Sequence, residues 1–142
     1  MKFSDGEWLM QPGVSAFYPA EAHTVTVLDG QLVIDAPTRN IKHRGDTLGG
    51  PLITVTLSSP MPNVVKVRLE HYAGGIDNDP QIPVQPQPAH QVVIENGAEE
   101  AVLRTGDLSV HVKKPGWEVT FKGAGQYLTR TAWRGMAYAQ VN

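Results

Sequence analysis

Apolar and polar residues alternate with a period of two along most of this chain, and no window of a dozen residues sustains the i, i+3, i+4, i+7 spacing of an amphipathic helix. Successive side chains of a strand point to opposite faces, so the pattern predicts an all-β fold whose strands each bury one face. Residues 24–28 (Thr-Val-Thr-Val-Leu) and 31–35 (Gln-Leu-Val-Ile-Asp) flank Asp29-Gly30. A type I′ hairpin turn needs positive φ at both central positions, and Asp-Gly supplies it. Residues 51–57 alternate apolar side chains with threonines and stop at Ser58-Ser59-Pro60, while Val65, Val67 and Leu69 alternate with Lys66, Arg68 and Glu70. These are two further strands, with a turn expected at residues 60–63. Strands resume over 91–95, 101–104, 108–112 and 117–121, separated by Thr105-Gly106-Asp107 and Lys114-Pro115-Gly116, and Gly123-Ala124-Gly125 ahead of Tyr127-Leu128 reads as another hairpin turn. Short strands at this spacing predict an antiparallel β-sandwich or barrel.

Between the two groups of strands, residues 73–90 hold Gly74-Gly75, Asp77-Asn78-Asp79 and prolines at 80, 83, 86 and 88, a composition that cannot ladder at every position and predicts an extended surface loop. At the far end, Trp133, Met136, Tyr138 and Val141 keep the chain apolar to its last residues, where natural ends usually taper into polar ones. The expectation is one domain over residues 1–142, cut from a longer protein.

Composition narrows the partners. A chain of 142 residues is long enough to bury roughly two thirds of its unfolded surface. Lys and Arg (12) nearly balance Asp and Glu (14), so no net field favours nucleic acid or an anionic membrane as a partner. With no cysteine there is neither a disulfide framework nor a thiolate metal cluster, which suits a reducing compartment. Ser4, Asp5, Gly6 and Glu7 stand where a signal peptide has its apolar run, and the expected location is the cytoplasm.

Candidate chemistry is sparse. Histidines at 23, 43, 71, 90 and 111 include no His-Glu-x-x-His pair, so no metal site and no cofactor are expected; His71 and His111, within strand patterns, read as surface or boundary histidines. Asp77-Asn78-Asp79 starts like a calcium loop, but Ile82 stands at its sixth position where glycine is needed and Pro88 at its twelfth where glutamate is needed. None of Ser4, Ser15, Ser58, Ser59 and Ser109 lies in a Gly-x-Ser-x-Gly elbow, and no Gly-rich phosphate cradle occurs. Glycoside hydrolysis uses two facing carboxyl groups, and Glu70, Asp77, Asp79, Glu99, Glu100 and Asp107 read as surface charges. Trp8, Trp117 and Trp133 fit core or inter-domain packing better than a sugar-stacking platform, given the area a Trp buries.

The opening Met-Lys-Phe-Ser-Asp-Gly-Glu-Trp-Leu-Met-Gln-Pro-Gly (1–13) resembles the start of bacterial α-xylosidases of glycoside hydrolase family 31. The resemblance continues through Gly-Pro-Leu-Ile-Thr-Val (50–55), Val-Arg-Leu-Glu-His-Tyr-Ala-Gly (67–74), Val-Val-Ile-Glu-Asn (92–96) and Leu-Arg-Thr-Gly-Asp-Leu-Ser-Val (103–110). It implies a galactose-mutarotase-like β-sandwich preceding a (β/α)8 barrel. The barrel would carry both catalytic aspartates, one in a Trp-x-Asp-Met-Asn type motif absent from residues 1–142. No catalytic or substrate-binding residue carries over, and the family sandwich is longer than this chain, so its final strands are expected to be missing. Three readings follow. The first is a non-catalytic N-terminal domain of a retaining α-xylosidase or α-glucosidase, packed on its own barrel, whose parent binds the carbohydrate substrate; a large exposed apolar face favours it, and copies of the isolated domain can associate through such a face as a homo-oligomer. The second is a free carbohydrate-binding sandwich, which needs exposed tryptophan. The third is a small mutarotase-like enzyme, which needs a His and a Glu converging in an open cleft.

Overall fold

A computed structural model describes residues 9–72, 89–131 and 134–142. Two antiparallel sheets face each other, as the alternation requires. The first has four strands in sequence order: β2 (Thr24–Leu28), β3 (Gln31–Pro37), β4 (Leu52–Met61) and β5 (Val64–Glu70). The second has five, ordered β10-β9-β8-β7-β6: β6 (Val92–Asn96), β7 (Glu100–Thr105), β8 (Leu108–Lys113), β9 (Glu118–Gly123) and β10 (Gln126–Thr131). Every pairing is antiparallel and no sheet closes into a barrel among the described residues, so the fold is an all-β sandwich.

The core is what period two puts inside. Leu32, Ile34 and Ala36 of β3 and Ile53, Val55 and Leu57 of β4 meet Ala101 and Leu103 of β7, Val110 and Val112 of β8 and Val119 of β9, and all are at most 1% exposed. β2 approaches β6, β4 approaches β7 and β5 approaches β8, so the sheets are stacked in order and β9 and β10 continue past β5.

The turns behave as their residues demand. Asp29 (φ 50°) and Gly30 (φ 73°) close the β2–β3 hairpin, and Ala124 (φ 48°) with Gly125 (φ 78°) closes β9–β10 by the same device. The turn expected at 60–63 is shorter than its prolines suggest. β4 runs through Pro60 to Met61, with a register shift between Ser58 and Met61 that accommodates the missing N–H, and only Pro62 and Asn63 (φ 63°) form the turn. Two strands go beyond the alternation pattern. β1 (Val14–Phe17) and β11 (Tyr138–Val141) pair with each other, Phe17 against Tyr138, and Met136 and Tyr138 pack against the core while Val141 stays exposed; Trp133 lies outside the described residues. The loop expected over 73–90 lies outside the described residues except for its last two positions.

Candidate functional site

Between β3 and β4 the chain leaves the sheet at Thr38 and returns at Pro51, and two carboxylates pin this excursion. Glu21 Oε1 accepts the backbone N–H of Ile41 at 2.9 Å and lies 3.2 Å from His23 Nδ1. Asp46 Oδ2 accepts the N–H groups of Lys42 (2.9 Å) and His43 (3.1 Å), while Arg39 stands 3.8 Å from its other oxygen. The two backbone donors, with Arg39 and Lys42 adding, hold the Asp46 carboxyl below the ordinary aspartate range, because they favour its charged form. His43 Nδ1 accepts the Gly45 N–H at 3.2 Å and caps a short 3-10 helix, Arg44–Leu48.

The Gly49-Gly50 pair lets the loop close. A Cβ on Gly49 would overlap the Arg39 guanidinium, and one on Gly50 would lie 2.5 Å from Thr38 Oγ1, which itself donates to Pro51 O at 2.9 Å. What results is a cleft of about 270 Å³ over the outer face of the four-stranded sheet. Thr24, Asp35, His23, Arg39 and Asp46 form its polar lining, and Pro37, Ile41, Pro51 and Leu52 its apolar one.

A second cluster occupies the outer face of the five-stranded sheet. Ser109 Oγ and His111 Nε2 are 3.1 Å apart on β8, and Glu100 Oε1 of β7 lies 3.2 Å from His111 Nδ1. That last contact is short but misaligned, so Nδ1 makes no hydrogen bond. His111 is 7% exposed, a correction to its reading as a surface or boundary histidine: parity puts it outside, yet the neighbouring side chains of the face cover it. Arg104, Asp107 and Lys122 line an open groove of about 360 Å³ beside Ser109 and His111. The Ser–His–acid order is that of a nucleophilic relay, but β8 is paired on both sides. Its backbone N–H groups are engaged in the ladders and cannot form an oxyanion hole there.

The other candidate residues scatter. His71 is exposed, with its ring centroid 4.0 Å from that of Tyr138; His90 Nε2 lies 2.9 Å from Ser59 Oγ, which also donates to Thr105 Oγ1 at 2.7 Å. Ser15 pairs across to Gln140 on β11, and Ser58 faces Lys66 across β4–β5. Glu70 pairs with Arg68, while Glu99, Glu100 and Asp107 are exposed, as expected. His and Glu converge in two places, His23 with Glu21 and His111 with Glu100. In the first the carboxylate is engaged by Ile41 N, and in the second the imidazole is buried. Trp117 is 8% exposed, packed in the core and unable to offer a stacking face. Trp8, Trp133, Ser4 and the Asp77-Asn78-Asp79 segment lie outside the described residues. Among the described residues no group of three His, Asp or Glu side chains is placed to hold a metal, and no helix is long and apolar enough to cross a membrane.

Exposed apolar side chains are spread over several elements, among them Leu28 at the tip of the β2–β3 hairpin and Tyr72 after β5. Leu48 (91%) ends the 3-10 helix, and Tyr127 (62%) and Leu128 (57%) stand on the edge strand β10.

No protein-family model matches the chain. Among curated proteins, an α-xylosidase of Emericella nidulans is 26% identical over 127 residues, covering 85% of this chain and 15% of that enzyme. The α-xylosidase XylQ of Lactiplantibacillus pentosus is 31% identical over 132 residues, covering 92% of this chain and 17% of that enzyme. The resemblance to α-xylosidases read from the sequence is borne out, and the chain spans only 15–17% of the length of the curated relatives it matches.

Proposed function

We propose that this chain is the non-catalytic N-terminal β-sandwich, galactose-mutarotase-like in kind, of a retaining α-glycosidase of glycoside hydrolase family 31 that removes terminal α-xylosyl residues in the cytoplasm. The observation that supports the reading is the coverage: similarity to α-xylosidases runs through 85–92% of this chain but 15–17% of theirs, which leaves most of such an enzyme outside these residues. On this reading the catalytic carboxylates belong to a (β/α)8 barrel in that remainder. The sandwich's own acids support a structural role. Glu21, Asp46, Glu70, Glu95, Glu100 and Glu118 each stand within ion-pair distance of a basic side chain. The exposed edge β10 and the apolar tip at Leu48 are the kind of surface that a neighbouring domain covers.

The test compares the 142-residue chain with the full-length protein on matched aryl α-xyloside and α-glucoside. The chain alone is expected to turn over neither, and the full-length enzyme to show the higher kcat/KM on the xyloside, because a pocket that excludes the C6 hydroxymethyl group discriminates by size. Turnover by the purified chain would overturn the non-catalytic role. A glucoside preference would move the parent to α-glucosidase and leave the domain role standing.

A further inference from the structure

An edge strand presents unpaired N–H and C=O groups that another strand can complete, and proteins ordinarily guard such edges with charge, proline or a bulge. The edges of the two stacked sheets are β2 and β5, and β6 and β10. β5 carries Lys66 and Arg68, β6 carries Glu95, and β10 carries Arg130 together with a register shift between Tyr127 and Thr129. β2 has none of these guards. Thr24-Val25-Thr26-Val27-Leu28 is uncharged, free of proline and in unbroken register with β3.

Hairpin geometry fixes which of its backbone groups face outward. Leu28 and Gln31 flank the two-residue turn, so they exchange both of their hydrogen bonds. Such pairs alternate along an antiparallel ladder. Thr26 and Thr24 therefore bond to β3, and the N–H and C=O groups of Val25 and Val27 turn to the open edge. Among the described residues no strand lies there, but Val25 O is already taken. Asn96, the last residue of β6 in the opposite sheet, donates its Nδ2–H to that carbonyl at 3.0 Å.

The strand is also complementary to itself. About a two-fold axis at Thr26, an antiparallel second copy sets Val25 opposite its own Val27, and the two can exchange N–H···O bonds because both turn those groups outward. Thr26 meets Thr26 and Thr24 meets Leu28, so no like charges are opposed. The bonds to the Val25 carbonyls are the ones with which Asn96 competes. We propose that β2 is a strand-pairing surface for a second copy of this chain, and that Asn96 is the latch that keeps it shut.

The chain has no cysteine, so a single Thr26→Cys reports the pairing through disulfide formation. On the axis its two Cα atoms stand about 4.5 Å apart, within disulfide reach, whereas those of Thr24→Cys stand roughly 14 Å apart. Asn96→Ala frees one acceptor in each copy, worth about fivefold apiece, so the dimerisation constant measured by sedimentation equilibrium should rise about thirtyfold. Cross-linking at Cys-substituted Thr26 should accelerate in the same background, and Thr24→Cys should stay monomeric. Asn96→Thr, a strand former without the amide donor, should act as Asn96→Ala does, which separates release of the edge from damage to the fold. Thr26→Lys opposes two ammonium groups across the axis and should return Asn96→Ala to the association of the parent chain. A dimerisation constant unchanged in both cooperatively melting Asn96 variants, cross-linking of Thr24→Cys as fast as Thr26→Cys, or association unaffected by Thr26→Lys would each overturn the proposal.

Discussion

Replacing Gly106 by alanine tests whether the two sheets are locked together where the β4–β5 and β7–β8 turns touch. Gly106 has φ +56°, a conformation that costs an alanine about 1 kcal/mol. A Cβ there would also collide with Asn63 Oδ1, which accepts the Asp107 N–H at 2.7 Å and so ties one hairpin to the other. Relief of that collision breaks the tie, worth about 1 kcal/mol net for an exposed bond. Gly106→Ala should therefore destabilise by about 2 kcal/mol. Gly30 makes the control, since its φ is +73° and a Cβ added there meets nothing within 4 Å. Only the backbone cost of about 1 kcal/mol is left at that position. For a chain of this size these costs correspond to a Tm drop of roughly 8 °C against roughly 4 °C. Thermal and urea unfolding followed by circular dichroism would measure both. A double-mutant cycle sharpens the test: with Asn63→Gly, which tolerates φ +63° and removes the obstructing amide, Gly106→Ala should cost only the backbone term. If Gly106→Ala is no worse than Gly30→Ala, or if the cycle is additive, the contact is not the lock described here.

Other consequences are checked more briefly. Gly30→Val should destabilise by more than Gly30→Ala, because a β-branched residue resists positive φ; a variant that melts like the parent would refute the turn. Asp46 has a folded pKa below its unfolded one, so its contribution is present above the unfolded pKa and is lost as pH falls through the folded value. Hydrogen-exchange protection at Lys42 and His43 should therefore decline as pH drops below the ordinary value of 3.8, and Asp46→Asn should lower it above that range, where Asp46 is ionised. Asp35→Thr should stabilise the chain by up to about 1 kcal/mol, since it removes no partner among the described residues and improves the strand. A lowered Tm would mean that Asp35 serves the fold.

Which residues belong to which face of which strand was legible in the chain itself. The alternation over 51–57 put Ile53, Val55 and Leu57 on one face opposite Thr54 and Thr56, and Asp29-Gly30 fixed the register of β2 on β3, because both signals are local: a pleat of period two and a turn that needs positive φ. Non-local facts were not legible. β1 and β11 are four residues each and lie at opposite ends of the sequence, so neither shows a pattern strong enough to announce a partner. His111 stands on the outer side by parity, yet whether an outer face is covered depends on side chains from adjacent strands. The cleft over β3 and β4 exists only because Glu21 and Asp46 bond backbone groups of residues 41–43 and because Gly49-Gly50 admits Arg39 and Thr38. Periodicity determines the direction in which a side chain points; only the packed chain determines what it meets there, since those contacts join segments whose separation in sequence carries no local signal.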